Sequence, residues 1–296
     1  MPTDSVDVRM LVDARAMRPG AVAEAAAARR KPTSMLGPTG RLMVIAADHP
    51  ARGALRAGSD PLAMADRCQL LERMCLALSR PEVNGVLGTP DIVEDLLLLG
   101  ALDDKVVIGS MNRGGLAGTS FEIDDRFTGY DASHLADMGL DAGKMLLRID
   151  PDDDLTAGTL QACADAVTAL ADRQLVAMVE PFLSTRVDGR VRNDLSTEAV
   201  IRSVTVAAGL GATSAYTWLK LPVTEDVGGM EQVLAASTLP AVLLGGEVPD
   251  DPDVAFAAFE RVLSLPTAKG LVVGRSLLYP SDGDVVGAVD RAVSLL

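Results

Sequence analysis

The chain alternates between short, almost entirely apolar segments and longer segments of helical character. Eight apolar segments occur, and helices of about 10–20 residues are predicted between them. Strands that are buried on both faces of a parallel sheet have such uninterrupted apolar runs. The predicted strands are LMVIAAD (42–48), NGVLGT (84–89), KVVIGS (105–110), KMLLRID (144–150), QLVAMVE (174–180), TSAYTWLKLPV (213–223), PAVLLGG (240–246) and KGLVVGR (269–275).

This alternation predicts an α/β fold, a single (β/α)8 TIM barrel over residues 41–296. A barrel is favoured over an open doubly wound sheet because the strand count stops at eight. Residues 1–40 are predicted to form an N-terminal helical extension that caps the bottom of the barrel or contacts a partner subunit. The other predicted helices cover about 60–80, 90–100, 131–138, 154–172, 196–208, 226–236, 252–264 and 284–294, with a glycine-rich loop at 111–131 and a polar loop before Ser196.

The balance of charge limits the kinds of partner that the protein can have. The chain of 296 residues is 48% hydrophobic and has a formal net charge of −14. Such an acidic surface argues against nucleic acid and anionic membranes as partners, so an anion must bind in a local basic pocket. Charged residues interrupt the N-terminal segment, and no apolar run reaches the roughly 18 residues of a membrane span, which predicts a cytoplasmic protein.

One lysine interrupts the sixth predicted strand. Lys220 lies between Leu219 and Leu221, although the burial of an ammonium group is costly. Two interpretations are open. Either the side chain reaches water at the end of the strand, or a pocket keeps the amine neutral so that it attacks a carbonyl carbon and forms a Schiff base.

Polar residues lie at or near the ends of several other predicted strands, and the active site of a barrel lies at the carboxyl ends. Lys144 opens the fourth strand, so strand polarity alone would place it at the bottom of the barrel. If Lys144 and Lys220 faced each other in one pocket, each charge would lower the pKa of the other. The other candidates are Asp48, His49 and Arg52 at the first strand, Arg148 and Asp150 at the fourth, Glu180 at the fifth, Gly245, Gly246 and Glu247 at the seventh, and Gly274 and Arg275 at the eighth.

The glycine pairs after the seventh and eighth strands predict a phosphate site. Loops at these places commonly bind phosphate in barrels. Glycine allows backbone N–H groups to approach the phosphate oxygens, and Arg275 adds a charge-assisted hydrogen bond.

Six segments of the chain resemble the class I (Schiff-base) aldolases, in the group that contains the tagatose-bisphosphate, deoxyribose-phosphate and archaeal fructose-bisphosphate enzymes. The resemblance extends over about residues 42–280. The segments are AADHPARGAL (46–55), KMLLRIDPDDD (144–154), VEPFL (179–183), WLKLPV (218–223), LLGGEV (243–248) and GLVVGRS (270–276).

The resemblance implies a role for each matching residue. Lys220 would form the Schiff base, Lys144 would tune its pKa or relay a proton, and Glu180 or Asp48 would remove the hydroxyl proton. No metal or other cofactor is implied, because the iminium itself accepts the electron pair. The residues implied in phosphate or substrate binding are Gly245, Gly246, Gly274, Arg275, Arg52, Arg148 and His49.

Three departures from the family pattern are visible. Lys220-Leu221-Pro222-Val223 is one residue shorter than the K-x-x-P-V of the family, and His49-Pro50-Ala51 replaces a shorter link. Arg148 stands where an aromatic residue is usual, which suggests an acidic group on the substrate besides the phosphate. The actinobacterial inositol-catabolism branch implies 2-deoxy-5-keto-gluconate 6-phosphate, which is cleaved to dihydroxyacetone phosphate and malonic semialdehyde.

The expected function is therefore that of a class I aldolase that acts on a phosphorylated sugar or sugar acid, in a homo-oligomer. Three alternatives stay open: a metal-dependent aldolase, a non-covalent sugar-phosphate isomerase, and a non-catalytic sugar-phosphate-binding subunit. Metal-dependent chemistry would need a cluster of histidine and carboxylate ligands, and the chain has two histidines, His49 and His134.

Overall fold

Eight parallel strands close into a barrel. The computed structural model of the chain describes residues 6–224, 226–246 and 252–296. The strands pair in the order β1-β2-β3-β4-β5-β7-β8-β9, and β9 returns to β1, which confirms the predicted (β/α)8 barrel. The described strands are β1 (Leu42–Ala46), β2 (Gly85–Gly88), β3 (Val106–Ser110), β4 (Ala142–Ile149), β5 (Val176–Val187), β6 (Arg190–Asp194), β7 (Thr217–Leu221), β8 (Ala241–Leu244) and β9 (Ala268–Val273).

The helices follow the predicted pattern with local differences. The helix predicted from residue 60 begins only at Arg67, because the Asp66 carboxylate caps it by accepting a hydrogen bond from the backbone N–H of Gln69 at 2.9 Å. Helix α10 was not predicted. No helix in the described ranges is both long and apolar enough to cross a membrane. The helices are α1 (Val8–Met17), α2 (Ala21–Ala28), α3 (Arg67–Leu78), α4 (Pro90–Leu98), α5 (Ala132–Asp137), α6 (Leu155–Ala171), α7 (Thr197–Ala208), α8 (Met230–Ala235), α9 (Pro252–Leu263), α10 (Arg275–Leu278) and α11 (Val285–Val293).

The polar segment after the fifth strand was predicted to be a loop, and this prediction is wrong. Strand β5 continues to Val187, and β6 returns antiparallel to it. The turn between them is Asp188-Gly189, whose φ angles of 51° and 75° are both positive. An Asp-Gly pair is a preferred sequence for a tight hairpin turn. The turn sequence therefore favours a hairpin here, although the polar residues around it are typical of a loop.

The end of helix α2 lies at the amino ends of the barrel strands, whereas Arg15 of α1 pairs with Glu94 and Asp95 on the outer helix α4. At the end of α2, the Arg29 guanidinium donates hydrogen bonds to the carbonyl oxygens of Lys105 and Gly139, both at 2.7 Å. Lys105 directly precedes β3, and Gly139 lies three residues before β4. The extension therefore contacts the bottom of the barrel, one of the two placements expected from the sequence. The domain boundary at residue 40 and a contact with a partner subunit stay predictions.

Side-chain alternation divides the inside of the barrel into an apolar half and a charged half. The inner cluster towards the amino ends includes Val44, Ile108, Ala142 and Met178. Since alternate residues of a strand face the same side, Lys144 shares the inner face with Ala142, and Glu180 shares it with Met178. In the same way Lys220 and Trp218 lie on one face of β7. The charged side chains therefore lie in the half of the barrel interior that is nearer the carboxyl ends of the strands.

Candidate active site

A cavity of about 370 Å³ opens at the carboxyl ends of the strands. Residues on or after β1, β4, β5, β7, β8 and β9 line it, together with residues of β6 and of the loop after β3. All of the residues to which the family resemblance assigns a role are among the lining residues, namely Asp48, His49, Arg52, Lys144, Arg148, Glu180, Lys220, Gly245, Gly246, Gly274 and Arg275. Asp150, a further strand-end candidate, is not; its carboxylate accepts a hydrogen bond from the backbone N–H of Asp152 in a turn.

The two lysines share one carboxylate in the centre of the cavity. The Lys220 Nζ donates to the Glu180 Oε1 at 2.9 Å, and the Lys144 ammonium contacts the other oxygen, Oε2. Lys144 also donates to the Asp48 Oδ2 at 3.3 Å. Lys144 is 1% exposed and Lys220 is 4% exposed, so neither side chain reaches bulk water. The interpretation of Lys220 as a strand-end lysine that reaches solvent is therefore wrong.

The place of Lys144 corrects an expectation from strand polarity. The fourth strand begins at Ala142, two residues earlier than predicted, so Lys144 is the third residue of the strand and faces inwards. Its long side chain extends towards the carboxyl end, where it meets Asp48 and Glu180. The face of a residue depends on alternation along the strand and not on where the strand begins, so Lys144 faces inwards with Ala142.

Arg113 completes this group, although it is not among the site residues predicted from the sequence. Its guanidinium forms an ion pair with Asp48 and donates from Nε to the Ser110 Oγ at 3.0 Å, while the Ser110 hydroxyl donates to the Asp48 Oδ2 at 3.2 Å. Ser110 ends β3 and Arg113 follows three residues later, so the strand-end rule applied to the third strand would have found both. We call Asp48, Arg113, Lys144, Glu180 and Lys220 the charge cluster.

Burial and neighbouring charge act together on the pKa values of the charge cluster. Burial lowers the pKa of Lys144 and that of Lys220, and the positive charge of Arg113 lowers both further, against the effect of Glu180. Lys220 also lowers the pKa of Lys144, so the expected repulsion between the lysines is present, with burial as the larger cause. Burial alone would raise the pKa of Glu180, but the two lysines lower it well below its usual value.

A second group of charges forms the rim of the cavity. The Glu122 Oε1 pairs with the Arg52 Nη2 at 2.9 Å and with the Arg148 Nη1 at 3.2 Å. The other Glu122 oxygen accepts the backbone N–H of Gly118, in the same glycine-rich loop, at 2.8 Å, so the two arginines attach this loop to the barrel through Glu122. The alternative in which Arg148 pairs with Asp150 is wrong. No local signal in the loop distinguishes Glu122 from its neighbours, so this residue could not have been found from the sequence.

The residues of the predicted phosphate site lie together at one side of the cavity. Gly246 has a φ of 64°, a left-handed conformation that favours glycine. A Cβ atom at Gly274 would lie 2.2 Å from the carbonyl oxygen of Ala46, so the close approach of two strands requires glycine there. The Arg275 guanidinium donates to the carbonyl oxygens of Gly246 and Arg56, both at 3.3 Å. Glu247 and Val248 of the quoted motif lie outside the described residues.

His49 lies between the charge cluster and the predicted phosphate site. Burial lowers its pKa well below the usual value, and the charges of Arg275 and Lys220 add to this effect. The imidazole is therefore neutral at neutral pH. Its Nδ1 lies 3.8 Å from the Asp48 Oδ1, beyond hydrogen-bond distance. Within the described parts of the chain, no group of three or more His, Cys, Asp or Glu side chains is arranged to hold a metal ion.

Comparison with solved structures defines the class of the fold. An archaeal fructose 1,6-bisphosphate aldolase matches 93% of this chain and 98% of its own, with a TM-score of 0.66 and 18% identity. A Schiff-base-forming fructose-1,6-bisphosphate aldolase matches 93% of this chain and 99% of its own, with a TM-score of 0.64 and 18% identity. The chain thus has the barrel fold of the class I aldolases, which confirms the resemblance at the level of fold.

A family model identifies the chain more closely. The model of the Cgl0159-like family matches residues 40–293, and the chain belongs to this family. The crystal structure of Cgl0159 from Corynebacterium glutamicum is 56% identical to it, covers 97% of this chain and 96% of that chain, and superposes with a TM-score of 0.93. A comparison with curated protein sequences finds no match.

Proposed function

We propose that the protein is a class I aldolase that cleaves or forms a carbon–carbon bond in a phosphorylated sugar or sugar acid through a Schiff base on Lys220. One observation carries the proposal: the Lys220 amine is buried, faces the cavity and has a lowered pKa beside a carboxylate at 2.9 Å. A lysine becomes a nucleophile for carbonyl carbons when burial and neighbouring cations favour its neutral form. The low-identity resemblance to Schiff-base aldolases agrees with this chemistry.

The first half of the proposed reaction forms the iminium. The neutral Lys220 amine attacks the ketone carbon, and the carbonyl oxygen takes up a proton to give a carbinolamine. Loss of the hydroxyl group as water leaves the positively charged iminium. Glu180 contacts both Lys220 and Lys144, so it can pass protons between the amines and the oxygen that departs.

The second half breaks the carbon–carbon bond. A carboxylate, Glu180 or Asp48, removes the proton of the hydroxyl group two carbons from the iminium carbon. The carbon that bears this hydroxyl group becomes the carbonyl carbon of an aldehyde, and the bond between it and the carbon next to the iminium breaks. The electron pair of that bond moves into the iminium and forms an enamine. Protonation of the enamine carbon and attack of water on the new iminium release the ketone and restore Lys220.

The proposed substrate carries a phosphate at the side formed by Gly245, Gly246, Gly274 and Arg275. Arg52 and Arg148 form the rim, where Glu122 already neutralises one of their two charges. The single positive charge that remains suits one further acidic group, such as a carboxylate. The first substrate to test is therefore 2-deoxy-5-keto-gluconate 6-phosphate, whose ketone lies next to the phosphate-bearing carbon and whose other end is a carboxylate.

Reductive trapping tests this proposal. The protein is incubated with dihydroxyacetone phosphate and borohydride, and the added mass is mapped by peptide mass spectrometry. We expect an adduct on Lys220, no adduct in Lys220→Met, and an unchanged adduct in the exposed-site control Lys31→Met. In Lys220→Met, turnover should fall by about 10⁴-fold or more, because the nucleophile is removed.

Other outcomes of the trapping experiment separate the alternatives. An adduct on Lys144 would exchange the roles of the two lysines. Binding without any adduct, together with turnover that survives Lys220→Arg, would support a non-covalent isomerase. Binding without an adduct or turnover of any sugar phosphate would support a binding subunit, and turnover abolished by EDTA would support a metal-dependent aldolase.

A further inference from the structure

Arg113 brings a permanent positive charge into the charge cluster. Its side chain is 6% exposed and is held by the Asp48 carboxylate and the Ser110 hydroxyl. The guanidinium group does not lose its proton under conditions in which proteins fold. This charge is therefore the same at every pH of interest, unlike the charges of the two lysines.

The number of charges in the cluster leaves one lysine without a carboxylate of its own. Two carboxylates, Asp48 and Glu180, face three basic side chains. A buried charge is costly unless an opposite charge pairs with it. Arg113 pairs with Asp48, and a single lysine suffices to balance Glu180. The remaining lysine is most stable as a neutral amine.

The contacts indicate which lysine keeps its proton. Lys144 contacts both Asp48 and Glu180, whereas Lys220 contacts Glu180 alone. An ammonium group between two carboxylates is better stabilised than one beside a single, shared carboxylate. Lys144 therefore keeps the proton, and Lys220 is the neutral amine.

We propose that Arg113 is a positioning residue that keeps Lys220 in the form of a neutral amine, by occupying Asp48 with a charge that cannot be lost. The proposal rests on the proposed function, in which Lys220 is the nucleophile. Arg113 does not need to touch the substrate for this role, since it acts through Asp48 and Lys144.

Further charged or titratable groups face the two lysines from the other elements around the cavity. None of them is substituted in the variants considered below, but Arg113 lowers the pKa of Asp125, so loss of the Arg113 charge also favours the protonated form of Asp125. These groups are His49 after β1, Asp125 in the loop after β3, Arg148 on β4 and Arg275 after β9, together with the Arg52–Glu122 pair at the rim.

Competitive acetylation of the free protein measures the protonation of Lys220 without any substrate. Trace acetic anhydride is added between pH 5 and 10, and the acetylation of Lys220 is quantified by mass spectrometry relative to the exposed Lys31. In Arg113→Met we expect the pH of half-maximal reaction of Lys220 to rise by about one unit or more. Without Arg113, the Lys144 ammonium pairs with Asp48, so Glu180 pairs with Lys220 and favours its protonated form. The control is Arg126→Met in the same loop, whose side chain is 75% exposed; it should not shift.

Two further variants make the test independent of general damage to the fold. Asp48→Asn removes one carboxylate, so the pH of half-maximal reaction should fall. The double variant Arg113→Met/Asp48→Asn removes one charge of each sign and should return the value to within about half a unit of the wild type. A structural defect would not change sign between single variants and cancel in the double variant. If Arg113→Met does not fold, Asp48→Asn and the double variant still decide.

The proposal is overturned if Arg113→Met shifts the pH of half-maximal acetylation of Lys220 no more than Arg126→Met does. It is also overturned if Asp48→Asn raises that pH. Failure of the aldolase proposal is a separate result. Expected shifts without a borohydride adduct would remove the aldolase function and keep the role of Arg113. An adduct on Lys220 with no shift in Arg113→Met would keep the aldolase function and remove the role of Arg113.

Discussion

Both ends of the barrel bury basic side chains, but they hold them in different ways. At the amino end, Arg29 donates to the carbonyl oxygens of Lys105 and Gly139 at 2.7 Å and, more distantly, to the Asp141 carboxylate at 3.4 Å, and the Lys105 ammonium contacts the carbonyl oxygen of Val83. At the carboxyl end, Lys144 and Lys220 contact carboxylates, and they share Glu180 between them. Backbone carbonyl groups cannot titrate or move far, whereas shared carboxylates can exchange protons.

The difference separates a structural use of buried charge from a reactive one. A cation that is bound by backbone oxygens fixes two segments of chain relative to each other. Two lysines that share one carboxylate compete for it, so a small change in their surroundings decides which is protonated. Variants at the two ends should therefore affect different measurements: stability at the amino end, and catalysis and proton binding at the carboxyl end.

Among variants that keep the Lys220 nucleophile, the largest expected effect is on turnover in Glu180→Gln. The amide cannot accept a proton, so kcat should fall by about 10²–10⁴-fold. Steady-state kinetics with a substrate that the wild type cleaves checks this, and Glu198→Gln on the exposed face of α7 is the matched control. A kcat within twofold of the wild type would show that Asp48 alone is the base.

At the amino end, Arg29→Met should mainly affect stability. The change leaves the carbonyl oxygens of Lys105 and Gly139 without their donor, so the free energy of unfolding should fall by about 3 kcal/mol. Turnover per folded molecule should stay the same. Chemical denaturation followed by circular dichroism measures this, with the exposed Arg30→Met as a control that hardly changes stability. A change in turnover instead of stability would remove the distinction between the two ends.

The lowered pKa of Lys220 should make stability depend on pH. Between its folded-state pKa and about 10.4, the unfolded chain binds more protons at this lysine, so the free energy of unfolding rises with pH. Lys220→Met loses this contribution. The difference in the free energy of unfolding between the wild type and Lys220→Met should therefore grow by about 1–2 kcal/mol from pH 7 to pH 9, measured by urea denaturation, with Lys31→Met as the control.

A smaller effect is expected at the predicted phosphate site. Gly246 has a φ of 64°, and none of the described atoms lies within 4 Å of the place that a Cβ atom would take, so Gly246→Ala costs only the strain of a left-handed conformation, about 1 kcal/mol. We expect a raised KM for the phosphorylated substrate with little change in kcat. Gly20→Ala, at an ordinary φ of −65°, is the control for both measurements. An unchanged KM would argue that Gly246 does not approach the phosphate.

The residues that could be predicted from the sequence are those whose signal is local. Lys220 stood out because a charge interrupts an apolar strand, and Glu180, Asp48 and Arg275 stood out because they end strands. These four line the cavity. The pattern could not show the hairpin of β5 and β6 in full, because polar residues on an exposed β-ribbon resemble those of a loop.

The misplaced and missed residues depend on contacts that are distant along the chain. The bottom position expected for Lys144 followed from the predicted start of β4, which depends on pairing with β3 and β5 and not on the residues of β4 alone. Arg113 lies three residues after the end of β3, within reach of the strand-end rule, whereas the role of Glu122, further along the same loop, arises only when that loop packs on β1 and β4. Glycine-rich loops have many possible paths, and local pattern does not select one.

The sequence alone determined the order and type of the elements and the kinds of side chain at the strand ends, because both depend on neighbours within a few positions. Tertiary structure alone decided which charges share a partner. Lys144 and Asp48 are 96 positions apart and Lys220 and Glu180 are 40 apart, and closure of the barrel with a defined register brings each pair within 3.3 Å. Protonation depends on those distances and on burial, since the energy of a charge depends on what surrounds it.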